Sequence, residues 1–520
     1  MRILVRGCCA ALFVATSGGH GLAAEQSCER LAALTLPHAT ITLAESVPAG
    51  QFSLPTGTPR PLGTPPRPRF NDLPAFCRVA ATLTPSSDSD IKIEVWMPTS
   101  GWNGKFEAVG NGGWWGDIRY ATLFSAVDGL SEALRRGDAA SSTDTGHVGG
   151  SGSFALGHPE KLTDFAYRAV HEMTVQAKSI ITTFYGRPPT FSYFEGCSGG
   201  GRQALKEAQK YPSDFDGIVA GAPGAAWTHL TAQTLWAALA TRSDPGSMIP
   251  GEKFQIIHDA VLKACDRVDG VKDGVLENPT RCHFDPAALL CQSADDPSCL
   301  TASQVTAVRT IYSDVMNPRT AQVISAGLER GSEARWPSLT TDPAPVLSAA
   351  IDHFKYVVFK DPAWDFRRLN LDTDVALADK LDAGLINATD PNLKPFVARG
   401  GRLIMFQGWG DHLVPPMNIV KYYNRVVTTL GPALANEAIR LFMVPGMGHC
   451  GGGEGTSSFD PMSAMEQWAE RAKAPAQITA SHMTNGLVDR TRPLCPYPQV
   501  AKYKGTGSTD NASNFLCQRP

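Results

Sequence analysis

Residues 195–201 read Glu195-Gly196-Cys197-Ser198-Gly199-Gly200-Gly201. Before them, residues 190–195 (TFSYFE) have the character of a strand; after them, residues 201–210 (GRQALKEAQK) have that of a helix. Gly196-x-Ser198-x-Gly200 between a strand and a helix has the form of a nucleophile elbow. A serine on so sharp a turn takes a strained conformation, and flanking glycines remove side chains that would clash there. Its Oγ then stands above the sheet, and the helix N-terminus offers unpaired N–H groups to an oxyanion. A glycine-rich turn capped by a serine would share the spelling. The strand and helix on either side favour the elbow.

Outward from this stretch the same alternation continues. Strand-like runs occur at residues 91–97 (IKIEVWM), 105–109 (KFEAV), 218–220, 402–407 and 439–444, and helical spacing at 164–185 and 416–429. This order predicts an α/β fold, a mostly parallel sheet flanked by helices on both faces. Residues 25–75 are rich in Pro, Thr and Gly and read as an extended lead-in. Between about residues 223 and 392 the alternation gives way to helices, cysteine-bearing loops and an aromatic stretch. That segment reads as one insertion into a single α/β domain.

A serine nucleophile needs a base and an acid that orients the base, and in this type of fold they follow in the order Ser, Asp, His. The 402–407 run leads into Gly408-Trp409-Gly410-Asp411, and the 439–444 run into Pro445-Gly446-Met447-Gly448-His449. Both residues thus fall at the same sheet edge as Ser198. Asp411 also reads as a cap for the helix after Pro415, and His449 as one loop histidine among 12. Order and strand context select Ser198, Asp411 and His449 as the catalytic candidates. Cys197 precedes the serine and Cys450 follows the histidine. If the serine and histidine side chains meet, these cysteines approach the Cα separation of about 4.4–6.8 Å that a disulfide requires.

The 520 residues carry 47 Lys and Arg against 50 Asp and Glu, a net charge of −3, which argues against a nucleic-acid partner. Residues 1–24 read as a signal peptide: Arg2 and Arg6, an apolar run at 7–17, and small residues for cleavage near Ala23 or Ala24. That run is too short to span a bilayer, and no later stretch reaches the roughly 18 uncharged apolar residues a span needs, so no membrane partner is expected. Cys8 and Cys9 lie inside the signal, leaving ten of the 12 cysteines in the mature chain. An even number in an exported chain without a Cys-x-x-Cys pair predicts disulfides rather than zinc, and a secreted or periplasmic location.

Residues 196–227 (GCSGGGRQALKEAQKYPSDFDGIVAGAPGAAW) resemble the signature of the tannase and feruloyl esterase family, whose members include a mono-(2-hydroxyethyl) terephthalate hydrolase. The resemblance continues through TSGWNGKFEAVGNGGWWGD (99–117), residues 266–277, KYVVFKDPAWDF (355–366), GWGDHLVPP (408–416) and PGMGHCGGG (445–453). It implies an α/β-hydrolase fold with a large lid between nucleophile and acid. The corresponding division is 25–223 and 393–520 for the hydrolase domain and 224–392 for the lid. The resemblance also implies a Ser198-Asp411-His449 triad with Cys197 and Cys450 bridged.

An oxyanion hole needs two N–H donors. Gly199, after the nucleophile, supplies one. The second is expected from the Asn111-Gly112-Gly113 loop, as in the family, with Gly112 and Gly113 both open and a plain glycine-rich hairpin as the alternative.

Residues 266–277 (DRVDGVKDGVLE) place three aspartates and two Asp-Gly turns in twelve residues. These are hard oxygen ligands, in a spacing that is not an EF-hand, and a solvated acidic turn is the alternative. The resemblance implies a structural calcium ion held by Asp266, Asp269, Asp273 and the carbonyls of Val271 and Val275. It also suggests the pairs Cys28–Cys77, Cys197–Cys450, Cys265–Cys282, Cys291–Cys299 and Cys495–Cys517, which sequence alone leaves open.

The family's substrates are aromatic-acid esters: ferulates, gallates, chlorogenate and terephthalate monoesters. The expected partner is therefore a small aromatic ester or a plant polyphenol or cell-wall ester, cleaved by a serine carboxylic-ester hydrolase. Lid aromatics between Trp336 and Trp364 are candidates for a ring slot, with lid core as their plainer role. Gln407 stands near a position where several relatives carry His, so pocket contacts at that point are expected to differ. A non-catalytic module would be expected to lack a triad member, and none is missing. A peptidase would share the triad and differ in its pocket.

Overall fold

The computed structural model describes residues 27–58, 70–121, 129–242, 244–340 and 345–520. The expected signal peptide lies outside them. Nine strands form one sheet in the order β1-β2-β3-β5-β4-β6-β7-β10-β11. They are β1 (Ala39–Val47), β2 (Phe76–Leu83), β3 (Ile91–Pro98), β4 (Lys105–Val109), β5 (Ala139–Thr143), β6 (Phe191–Cys197), β7 (Gly217–Gly221), β10 (Arg402–Gly408) and β11 (Ile439–Val444). Between β7 and β10 the chain also makes a small antiparallel pair, β8 (Val315–Met316) and β9 (Val323–Ser325). From β5 to β11 every neighbouring pair is parallel, whereas β1, β2, β3 and β5 pair antiparallel.

The parallel strands are buried almost throughout, as strands covered on both faces must be. Their alternate side chains enter two different cores. On one face Phe194, Leu403, Met405 and Leu441 pack with the helices Ala169–Tyr185, Gly199–Lys210 and Pro416–Leu430. On the other, Tyr193, Ile404, Phe406 and Phe442 pack with Met462, Met465 and Trp468 of the helix Pro461–Arg471. Among the described residues, 224–392 contribute no strand to this sheet. They hold the helices Trp227–Ala240, Gly251–Cys265 and Ala302–Tyr312 around apolar clusters of their own, one centred on Trp336 and one on Phe354 and Trp364.

Two expectations need correction. The lead-in at 25–75 is not simply extended chain: its residues 39–47 (ATITLAESV) alternate in burial and form the edge strand β1, held near β2 by the Cys28–Cys77 disulfide. The helix expected at 164–185 is present but begins earlier, running without a break from Pro159 to Tyr185 with one irregular turn inside it. A single π turn, Asp164–Arg168, precedes the regular helix Ala169–Tyr185. The buried Arg202 guanidinium donates to the Phe165 and Ala166 carbonyls, which pulls them out of the usual i to i+4 ladder.

Candidate active site

Ser198 is the last residue before the helix Gly199–Lys210, with φ 64° and ψ −117°. A serine avoids this left-handed region unless its surroundings impose it. Here its amide donates to Gly221 O of β7, and its carbonyl accepts the Gly224 and Arg202 amides. The glycine at 196 is steric: a Cβ there would lie 2.6 Å from the Gly200 carbonyl carbon. At Gly199 a Cβ would lie 2.7 Å from Gly113 N. The two candidate oxyanion segments therefore meet backbone to backbone. Asn111 braces the second: its amide group donates to Asp117 O and Thr143 O, and Gln203 takes its backbone N–H and returns a bond to its Oδ1.

Asp411 follows β10 and is fully buried. Its Oδ2 accepts from His449 Nδ1 at 2.9 Å and from Gln407 Nε2 at 2.8 Å. Its Oδ1 accepts the Leu413 and Val414 amides at 2.8 and 3.0 Å. Burial alone would raise the carboxyl's pKa, but the imidazole and these donors outweigh it and hold Asp411 below the usual range. The cap expected from Asp411 on the helix after Pro415 does not form: that helix has no side-chain cap, and Asp411 Oδ1 holds the turn at 413–414 instead. Cys450 is bonded to Cys197 with Cα atoms 6.0 Å apart, so the loop carrying His449 is tied to the turn carrying Ser198. The disulfide joins the neighbours of Ser198 and His449.

A model of the tannase and feruloyl esterase family matches residues 77–518. The chain belongs to the tannase and feruloyl esterase family. It is 39% identical to an uncharacterized esterase of Xanthomonas campestris pv. campestris, over 95% of this chain and 91% of that one. It is 32% identical to a probable feruloyl esterase B-2 of Aspergillus terreus, over 93% of each. The crystal structure of feruloyl esterase B from Aspergillus oryzae superposes with a TM-score of 0.87 at 30% identity, covering 95% of this chain and all of that one. A tannin acyl hydrolase from Aspergillus niger shares the fold, with a TM-score of 0.74 at 21% identity over 93% of this chain and 92% of that one. As a tannase and feruloyl esterase family member, the protein is a carboxylic ester hydrolase of an α/β-hydrolase type.

All five cysteine pairs suggested by the family resemblance are disulfides in the structure. No helix of the described residues is long and apolar enough to cross a membrane.

In the 266–277 loop, Asp269, Val271, Asp273, Val275 and Glu277 line a cavity of about 20 Å³, room for one water or ion. Burial raises the Asp269 pKa, which marks a carboxylate short of compensating charge. Asp266 is turned differently: its Oδ1 accepts the Asp273 and Gly274 amides and so shapes the turn. Arg492 pairs with Asp273 at the cavity wall. Among the described residues, the single set of three His, Asp or Glu side chains whose ligand atoms converge within 4.8 Å is His171, Glu207 and Asp214, away from this loop. There Lys178 lies against the same carboxylates and supplies positive charge.

Two residues near the candidate triad take roles that the sequence did not show. Gln407, expected to alter pocket contacts, instead donates to Asp411. Arg335, from the 224–392 segment, bonds Glu454 and covers Gly448, where a Cβ would lie 2.8 Å from its Nε. Their only sequence signal is position, a polar residue inside a strand and an arginine beside Trp336. The lid aromatics are mainly core: Trp336 packs with Phe254 and Tyr312, and Trp364 stacks on Phe354 and Phe359. Trp114, which follows the candidate oxyanion loop in sequence, packs on Phe165 at 4.7 Å and edge to face on Trp227 at 5.0 Å.

Proposed function

We propose that the protein is an exported serine esterase that cleaves esters of aromatic acids through an acyl-enzyme on Ser198. The observation that carries this reading is the Asp411–His449 hydrogen bond, joined through Cys197–Cys450 to a serine with positive φ. In this mechanism Ser198 Oγ attacks the ester carbonyl while the free His449 nitrogen takes its proton. Asp411 holds the proton on Nδ1 and stabilises the imidazolium. The oxyanion is received by the Gly199 N–H and by the Gly112 or Gly113 amide. The alcohol leaves with the proton from His449. Water, activated by the same imidazole, then releases the acid and restores the serine.

The aromatic acyl group rests on the family's named members, feruloyl esterases and a tannin acyl hydrolase. Export is supported by the five disulfides, which persist in oxidising compartments. A calcium ion in the 266–277 loop would be held by Asp269 and Asp273 with the Val271 and Val275 carbonyls, Asp266 fixing the turn or joining the ligands. Its role is structural, because it neutralises buried carboxylates and faces no reacting group.

The test is Ser198→Ala, assayed with methyl ferulate, methyl gallate, chlorogenate and a terephthalate monoester ranked by kcat/KM. The variant should lose about 10⁴-fold or more in kcat on every ester while melting like the wild type. Full activity in that variant would sink the mechanism, and turnover of aliphatic esters alone would sink the substrate class.

A further inference from the structure

We propose that Gln407 is a positioning residue for the triad's acid, holding Asp411 with a donor that does not titrate; this rests on the triad reading above. Gln407 lies on β10, four residues before Asp411, and its side chain is wholly inaccessible to solvent. Its Nε2 lies 2.8 Å from Asp411 Oδ2 and 3.2 Å from the Val414 carbonyl oxygen. Both neighbours are acceptors, so the side-chain amide must present its NH₂ group to them.

The consequence lies in how the carboxylate is shared. Oδ2 is the oxygen that also accepts from His449 Nδ1, while Oδ1 takes two backbone amides. Each oxygen thus has two donors, and the carboxylate cannot rotate without breaking bonds on both. Three of the four donors are neutral amides, two from the backbone and one from Gln407. The acid is therefore oriented without a second cation competing with His449 for its charge. These amides do not change protonation over the working pH range, so they add no titration of their own beside Asp411. Without Gln407, Oδ1 keeps its two amides but Oδ2 keeps only the bond to His449, so the carboxylate can tilt about Oδ1 and shift the imidazole relative to Ser198.

The Gln407→Glu variant tests this with almost no change of shape. A protonated Glu at this position donates to Asp411 as the amide does, whereas an ionised one repels it. Two buried carboxyls in contact cannot both ionise easily, so the new group's pKa is raised. The expected result is activity close to wild type at mildly acidic pH, with a new fall as pH rises that the wild type lacks. Gln407→Leu, which has no donor, should lower kcat about 10–100-fold at all pH values with KM unchanged. Melting curves of both variants confirm folding. Wild-type kcat and an unaltered pH profile in both folded variants would overturn the proposal. If Asp411→Asn is inactive while both Gln407 variants behave as wild type, the triad reading stands and this inference alone fails. If Asp411→Asn is fully active, the triad reading itself fails.

Discussion

Cys197 and Cys450 are bonded across 253 residues of chain, and each adjoins one partner of the candidate nucleophile–base pair. Both cysteines are buried, and Cys450 itself has a positive φ of 61°. In the chain-entropy account, closing so long a loop stabilises the fold by up to about 5 kcal/mol. The bond also limits how far Ser198 and His449 can separate. Replacing both cysteines by serine should lower the melting temperature and reduce kcat by about 100-fold, since small misplacements at a reacting pair are costly. Removing the Cys291–Cys299 bond, which closes only 8 residues in an exposed loop, is the control and should leave kcat unchanged. A long-bond variant with lower melting temperature but full kcat would make the disulfide a staple only.

Gly199 is the second sensitive point. An alanine Cβ would stand 2.7 Å from Gly113 N and 3.1 Å from the Gly112 carbonyl carbon. Both are backbone atoms, so one loop must move away from the other. Gly199→Ala should therefore cost about 10²–10³-fold in kcat, the usual effect of losing one oxyanion donor. The melting temperature should change little, because the helix gains a better helix former. Activity within a few-fold of wild type would place the oxyanion hole elsewhere.

The sequence carried the sheet and the catalytic candidates because both are written in local patterns. Strands β4 and β11 appear as apolar runs with the expected ends, and Ser198, Asp411 and His449 each lie within five residues of the end of a strand. β5 was not legible: its residues AASST are small and polar, and they are buried because neighbours on both sides cover them. The π turn at Asp164–Arg168 was hidden for a similar reason, since its cause, Arg202, lies 34 or more residues away. Gln407 was legible by position alone: its bond to Asp411, four residues on, forms only because the chain after β10 turns back against the strand.

The 266–277 loop makes its own prediction. If calcium occupies it, chelation by EDTA should lower the melting temperature while leaving the initial rate of ester cleavage unchanged. Asp269→Asn removes a carboxylate that burial already disfavours as an anion. It should abolish the calcium-dependent part of the melting temperature and lower it no further. A melting temperature indifferent to EDTA and to added calcium would mean that Arg492 and backbone amides alone compensate these carboxylates.

Acid should destabilise the protein through two histidines that are buried as neutral rings. Burial pushes His353 down from 6.5 to about 3, and neither of its ring nitrogens has a hydrogen-bond partner. Burial likewise lowers His412 to about 3, despite the adjacent Asp411. Between these values and 6.5 the unfolded chain binds protons that the folded one refuses. Stability is therefore fully present above about pH 6.5 and declines as pH falls towards 3, by up to about 5 kcal/mol for each histidine. Asp411, also depressed, acts in the same direction but only below its ordinary 3.8. The melting temperature should thus fall steadily from pH 6.5 to 4, before carboxylate protonation dominates. His353→Phe keeps a ring against Trp114 and Phe354 and removes the titrating group. It should flatten that decline, and an unchanged slope would remove His353 as a source of the acid sensitivity.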